Sequence, residues 1–162
     1  MKTSYFVATT ILAAGLSAIA SPANSQTLEK VSDSNKITVS YREASVPFSY
    51  LISPAEAVGF SVDLTDAIVD DVRRKLNKPN LEVAHIPVSS QTRIPLLVNG
   101  TYDLECGSTT NNAARGKDVA FAISHFYTGT RLLTKKTSGI KNYADLAKKT
   151  VASTVGSTNE KV

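Results

Sequence analysis

The 162-residue sequence predicts an α/β fold, a mostly parallel sheet flanked by helices, and three observations carry that expectation. Short runs of alternating polar and apolar side chains are separated by longer stretches whose apolar residues recur at helical spacing. Their order is strand, helix, strand, helix, strand, and strands joined through a crossover helix run parallel. With 42% hydrophobic and 20% charged residues and a single cysteine, the composition excludes a disordered, collagen-like or disulfide-stapled chain.

Residues 1–25 read as a signal peptide: Lys2 is the positive end, Phe6 to Ile19 the apolar stretch, and small residues follow. Ala18-Ile19-Ala20 and Ala23-Asn24-Ser25 both satisfy the small-x-small cleavage rule. The apolar stretch falls short of the roughly 20 residues that span a bilayer, and no later segment is long or apolar enough to do so. The mature chain is therefore expected to be exported into an oxidising compartment.

A short helical piece around Leu28 to Ser32 precedes the strand Lys36 to Tyr41, which alternates as a half-buried strand does. Residues 42 to 57, with Pro47 and Pro54, read as a loop. From Val58 to Asn77 the apolar positions Val62, Leu64, Ala67, Ile68, Val72 and Leu76 mark a helix that Lys78-Pro79-Asn80 stops. Leu81 to Val88 is the next strand; Ser89 or Ser90 caps a helix to Asn99, Gly100 ends it, and Asp103 to Ser108 is the third strand. Beyond it, Phe126 to Lys136 reads as extended, Asn142 to Lys148 as a short helix, Thr150 to Ser153 as a strand and Gly156-Ser157-Thr158 as its turn. A closing strand and turn that lead nowhere look like the start of a second unit, so the chain is expected to be cut short.

The charge of +4 forms no basic block: Arg73, Arg74, Lys75 and Lys78 share a helical stretch with Asp66, Asp70 and Asp71, the pattern of a solvated face, and no nucleic-acid partner is expected. Cys106, alone in an apolar run, cannot form an internal disulfide and reads as a buried, inert thiol; His85 and His125 stand at no motif spacing to it. Asn99-Gly100-Thr101 matches a glycosylation acceptor, which a turn after a helix explains equally well. Neither a P-loop nor a Gly-x-Gly-x-x-Gly element is present, and no metal or cofactor is expected.

In parallel α/β sheets ligands bind beyond the carboxyl ends of the strands. Arg42 and Glu43 follow the first strand, Ser89, Ser90 and Arg93 the second, and Ser108, Thr109 and Thr110 the third, with Arg115 five residues on. An arginine fork matches a carboxylate with two parallel hydrogen bonds, and hydroxyl-rich turns add donors. Three guanidinium groups brought together repel one another unless an anion joins them, and a ligand with two carboxylates would balance them. The plainer alternative pairs Arg42 with Glu43 and Arg115 with Asp118 and leaves the hydroxyls as turn residues.

The stretch Gly59-Phe60-Ser61-Val62-Asp63-Leu64-Thr65-Asp66-Ala67-Ile68-Val69 resembles the signature of family 3 bacterial extracellular solute-binding proteins, periplasmic receptors of polar amino-acid ABC transporters, with Ser61 where most members have an acid. YREASVPFSY (41 to 50), RRKLNKP (73 to 79), IPVSSQTRIPLLVNGTYDLECGSTTNNAAR (86 to 115) and GTRLLTKK (129 to 136) resemble the members that take acidic amino acids. The resemblance implies a type II periplasmic-binding-protein-like lobe over residues 26–131, lacking its return segment, with the hinge strand and start of a second lobe over 132–162. The first crossing between lobes would be Thr128 to Lys136.

It implies further that Arg115, Ser108 and Thr110 hold a ligand's α-carboxylate, that Arg42, Ser90 and Arg93 hold its side-chain carboxylate, and that Thr158 contacts the ligand from the second lobe. L-glutamate or L-aspartate would then be the ligand and a membrane permease of an ABC transporter the partner, the receptor being a monomer and not an enzyme. The 162-residue chain alone, as half a cleft, is expected to bind weakly or not at all. The same fold also serves as a sensor domain and as a periplasmic dehydratase-like enzyme, for which Glu43 and Glu105 would be the candidate acids or bases.

Overall fold

The computed structural model describes residues 23–161, and side chains from 26 onward, so the leader expected over 1–25 lies outside them but for the backbone of its last three positions. Strand β1 (Lys36–Tyr41) is the middle of a three-stranded parallel sheet, between β5 (Glu82–Pro87) and β6 (Leu104–Glu105). Lys36 pairs with Glu82 and Tyr41 with Pro87 along one edge, and Val39 and Ser40 pair with Leu104 and Glu105 along the other. Ile37 and Val39 of β1 join Val31 of α1 (Ala23–Ser34), Val69 of α2 (Phe60–Leu76) and Leu81 in one core, flanked by Val72, Leu76, Val83 and Leu104. Each such side chain, fully buried, contributes roughly 1.5 to 3 kcal/mol.

Helix α2 starts at Phe60, two residues later than its apolar spacing predicts, and ends as expected, with Asn77 left-handed at φ 53° and its N–H bonded back into the last turn. Its most buried line runs through Ser61, Thr65 and Val69, while Ala67, expected on the apolar stripe, is exposed. Small side chains bring the helix close to its neighbours, and the Thr65 hydroxyl returns a 2.8 Å hydrogen bond to Ser61 O instead of seeking one in the core.

Residues 42 to 57 are not a loop. They form an antiparallel meander of β2 (Ala44–Ser45), β3 (Ser49–Ser53) and β4 (Glu56–Val58), with Pro47 and Pro54 in the two turns rather than in the ladders. The strands are too short for a periodicity reading. The meander is clamped to α2, whose first two N–H groups donate to Pro47 O (3.1 Å) and Phe48 O (2.7 Å). Gly59 joins the two at φ 124°.

Helix α3 (Arg93–Val98) is shorter than the predicted span from Ser89, because residues 89–92 make a separate turn in which the Ser89 hydroxyl accepts from Gln91 N (3.2 Å) and Thr92 N (3.1 Å). Strand β6 is two residues, not the six from Asp103 to Ser108; Asp103 N still donates to Thr38 O (2.8 Å), while its carboxylate accepts from Thr38 N (2.9 Å) and Lys30 Nζ (2.8 Å). Among the described residues no strand follows β6: Phe126 to Lys136 and Thr150 to Ser153 have no ladder partner, and the short helix predicted over Asn142 to Lys148 is a single 3-10 turn, Tyr143–Leu146, with Asn142 and Asp145 forming a capping box.

Among the described residues Tyr102 is the largest fully buried side chain, and its hydroxyl donates 2.6 Å to Arg93 O, fastening the start of α3. Burial, with Glu105 nearby, pushes its pKa up to about 12. The unfolded phenol titrates near 10, so between about pH 10 and 12 the unfolded state has lost a proton that the folded state keeps, and stability falls by roughly 1.4 kcal/mol for each pH step of one across that window. Tyr102→Phe is expected to lower stability by about 1 kcal/mol at neutral pH, through the lost hydrogen bond, and to flatten that alkaline decline. Denaturant melts at pH 8 and pH 11 check both effects.

Candidate functional site

The carboxyl ends of β1, β5 and β6 open on one edge of the sheet, and the residues that follow them meet there. Arg42 leaves β1 with its backbone fixed by Ser49, whose hydroxyl accepts from Arg42 N (2.8 Å) and donates to Arg42 O (3.0 Å). Its guanidinium donates through Nη2 to Ser90 Oγ (3.1 Å) after β5 and through Nη1 to Ser108 Oγ (3.4 Å) after β6. Ser45 donates to the same Ser108 hydroxyl at 3.1 Å. Ser45 and Ser49 are not among the residues that the sequence singles out, because residues 42 to 57 read as a loop; the short apolar run Tyr50-Leu51-Ile52 between serines is the one local hint of a strand there.

Arg115 donates to Thr110 O (3.0 Å) and Gly156 O (3.1 Å), and the Thr110 and Thr158 hydroxyls lie 3.2 Å apart. Neither Arg42 nor Arg115 pairs with its neighbouring acid. Gly156, at φ +74°, presses against Ser90 and Gln91, where a Cβ would sit 2.7 Å from Gln91 Cα. That close approach ties the turn of residues 156–158 to the β5 end, so the structure brings all seven predicted residues to one place.

Arg93 is the floor. It is 2% exposed, and its Nε and Nη1 find no hydrogen-bond partner among the described residues. Glu105 is its counter-ion at 3.8 Å, beyond hydrogen-bond reach, and both carboxylate oxygens accept instead from Thr109 Oγ1 (2.8 and 2.9 Å). Burial pulls the Arg93 pKa down, Glu105 opposes it, and the charges of Arg42 and Arg115 add to the depression, which places all three guanidinium groups within electrostatic reach. A buried cation with free donors, beside two further cations, suits an anion that brings its own acceptors. Cys106 stands behind this edge as a buried thiol whose pKa is raised by burial, in keeping with an inert side chain. Among the described residues no group of His, Cys, Asp and Glu is placed to hold a metal ion.

The sequence pattern of bacterial extracellular solute-binding proteins, family 3, matches residues 37–160. The chain belongs to this family. Its relatives within the solute-binding proteins include the glutamate/aspartate import solute-binding protein of Escherichia coli (strain K12), 52% identical over 94% of this chain and 53% of the relative. The L-glutamate/L-aspartate-binding protein of Pseudomonas aeruginosa is 48% identical over 96% of this chain and 52% of its own length. Among solved structures, an ancestral cationic amino acid solute-binding protein superposes with a TM-score of 0.56 at 25% identity, covering 74% of this chain and 50% of that one. A point mutant of domain 1 from TmArgBP, in arginine-bound form, superposes at 0.52 and 24% identity, covering 61% of this chain and 71% of that domain. The fold is therefore that of a type II periplasmic-binding-protein lobe, and the chain spans about half the length of the curated solute-binding relatives it matches.

Proposed function

We propose that this chain carries the ligand-recognising lobe of a periplasmic solute-binding protein for L-glutamate and L-aspartate, a monomeric receptor that hands its ligand to the membrane permease of an ABC transporter. Residues 26–131 form that lobe and 132–162 begin a second. Arg115 with Ser108 and Thr110 takes the α-carboxylate; Arg42, Ser90 and Arg93 take the side-chain carboxylate; Thr158 closes from the second lobe.

The observation that carries this reading is the buried Arg93, whose Nε and Nη1 lack partners among the described residues, with Arg42 and Arg115 near it. The names of the Escherichia coli and Pseudomonas aeruginosa relatives support the same ligand class. Binding rather than dehydratase-like catalysis is supported by Glu105, which is tied to Thr109 and Arg93 and so is not free to shuttle a proton, and by Glu43, which is exposed. In such a receptor the ligand bridges the lobes, and closure is driven by the contacts it gains in the closed form.

A half-cleft leaves the ligand partly hydrated, so the chain alone binds weakly. Titration of L-glutamate and L-glutamine into the isotope-labelled chain, followed by NMR, is expected to give a saturable millimolar site that favours glutamate by about tenfold, the worth of one extra charged contact. Equal affinity for the two ligands would overturn the assignment.

A further inference from the structure

We infer that Glu105 is a resident competitor for Arg93, standing in for the ligand's side-chain carboxylate and held off the guanidinium by Thr109, so that it sets the affinity of the site. The inference rests on the reading above, in which Arg93 receives that carboxylate. Glu105 lies deep: its side chain is 6% exposed, against 3% for Arg93, and the 3.8 Å between Nη1 and Oε1 brings the charges together without a hydrogen bond.

Two features keep that gap open. Thr109 Oγ1 sits at 2.8 and 2.9 Å from the two carboxylate oxygens, drawing Glu105 toward its own turn, and residue 107 has no side chain where a Cβ would stand 2.8 Å from Oε1. Arg93 is thus charge-compensated but keeps its donors. Among the described residues Glu105 is also the one carboxylate that pulls on Arg93, whereas Arg42 and Arg115 push against it. Three guanidinium groups and one carboxylate leave two net positive charges, the complement of a ligand's two carboxylates. An arriving carboxylate must therefore work against the field of Glu105, and without that acid the same site would hold a second carboxylate more tightly.

Glu105→Gln keeps the size and an oxygen for Thr109 but removes the competing charge. NMR titration of the 162-residue chain with L-glutamate is expected to show its Kd falling by about threefold to tenfold, with the Kd for L-glutamine little changed. Thr109→Val, which frees the carboxylate to close on Arg93, is expected to raise the glutamate Kd by a similar factor. Thr109→Ser, which keeps the hydroxyl, restores the wild-type value, and Thr109→Val has no effect once Glu105 is Gln. A merely structural brace would weaken binding in both single variants.

An unchanged or higher glutamate Kd in Glu105→Gln overturns the inference, as does an unchanged one in Thr109→Val. Should Glu105→Gln fail to fold, the Thr109 pair decides alone. Absence of saturable glutamate binding by the wild-type chain defeats this inference, equal affinity for glutamate and glutamine defeats the parent reading and the inference with it, and a glutamate preference with the wrong variant order defeats the inference only.

Discussion

Gly59→Ala is expected to destabilise the chain by about 3 kcal/mol or more, lowering Tm by upward of about 10 °C. Two costs add. Gly59 has φ 124° and ψ 170°, a region that an L side chain rarely enters. A Cβ there would also stand 2.7 Å from both Pro47 O and Phe48 O, and those carbonyls cannot yield because they accept the first N–H groups of α2. The damage should spread to the site, since the same meander carries Ser49 and Ser45. Gly116→Ala is the control: its position has no positive φ and open space around the added methyl, and it should melt within about 0.5 kcal/mol of wild type. Thermal melts of the two variants side by side test the pair, and comparable Tm values would show that the α2 entry tolerates a side chain.

Arg93→Ala is expected to weaken glutamate binding by well over tenfold while changing glutamine binding far less. On the proposed reading the guanidinium meets only the side-chain carboxylate, and losing one partner of a buried charge pair costs roughly 2 to 5 kcal/mol. Arg115→Ala should weaken both ligands together, since both present an α-carboxylate. The Arg93 variant also leaves Glu105 buried without its counter-ion, so its melt should fall as well. Calorimetric titration of both variants with both ligands gives the four affinities. If Arg93→Ala and Arg115→Ala held glutamate as tightly as wild type, the arginine set would not be the recognition element.

The parallel sheet was legible because its strands are signalled locally: Ile37 and Val39 alternate with polar neighbours, and α2 carries an apolar line and a proline stop. Six of the seven candidate residues were legible for a topological reason, since each follows the end of β1, β5 or β6, whereas Thr158 came from the family resemblance, and no strand precedes it among the residues after β6. What escaped notice depends on partners distant in sequence. The meander over residues 44–58 has strands of two to five residues, which become strands only by pairing with one another. The buried line of α2 through Ser61 and Thr65 reflects how closely the helix approaches its neighbours, a property of packing rather than of hydropathy. In the sequence Glu105 reads as a candidate acid or base, and only the fold brings its carboxylate onto Thr109 and beside Arg93. Thr150 to Ser153, read as a strand, finds no ladder partner among the described residues, because a local run supplies no partner for its own backbone.

Strand β1 places Val39, 1% exposed at the centre of the core, three residues before Arg42 at the edge of the site. No flexible linker separates the two. Any substitution that loosens the sheet therefore removes the site from a fraction of the molecules, and the apparent Kd rises by the reciprocal of the fraction still folded even where every contacting side chain is intact. For this chain a binding curve is thus also a population measurement. Affinities of variants become comparable only after each apparent Kd is multiplied by its own folded fraction.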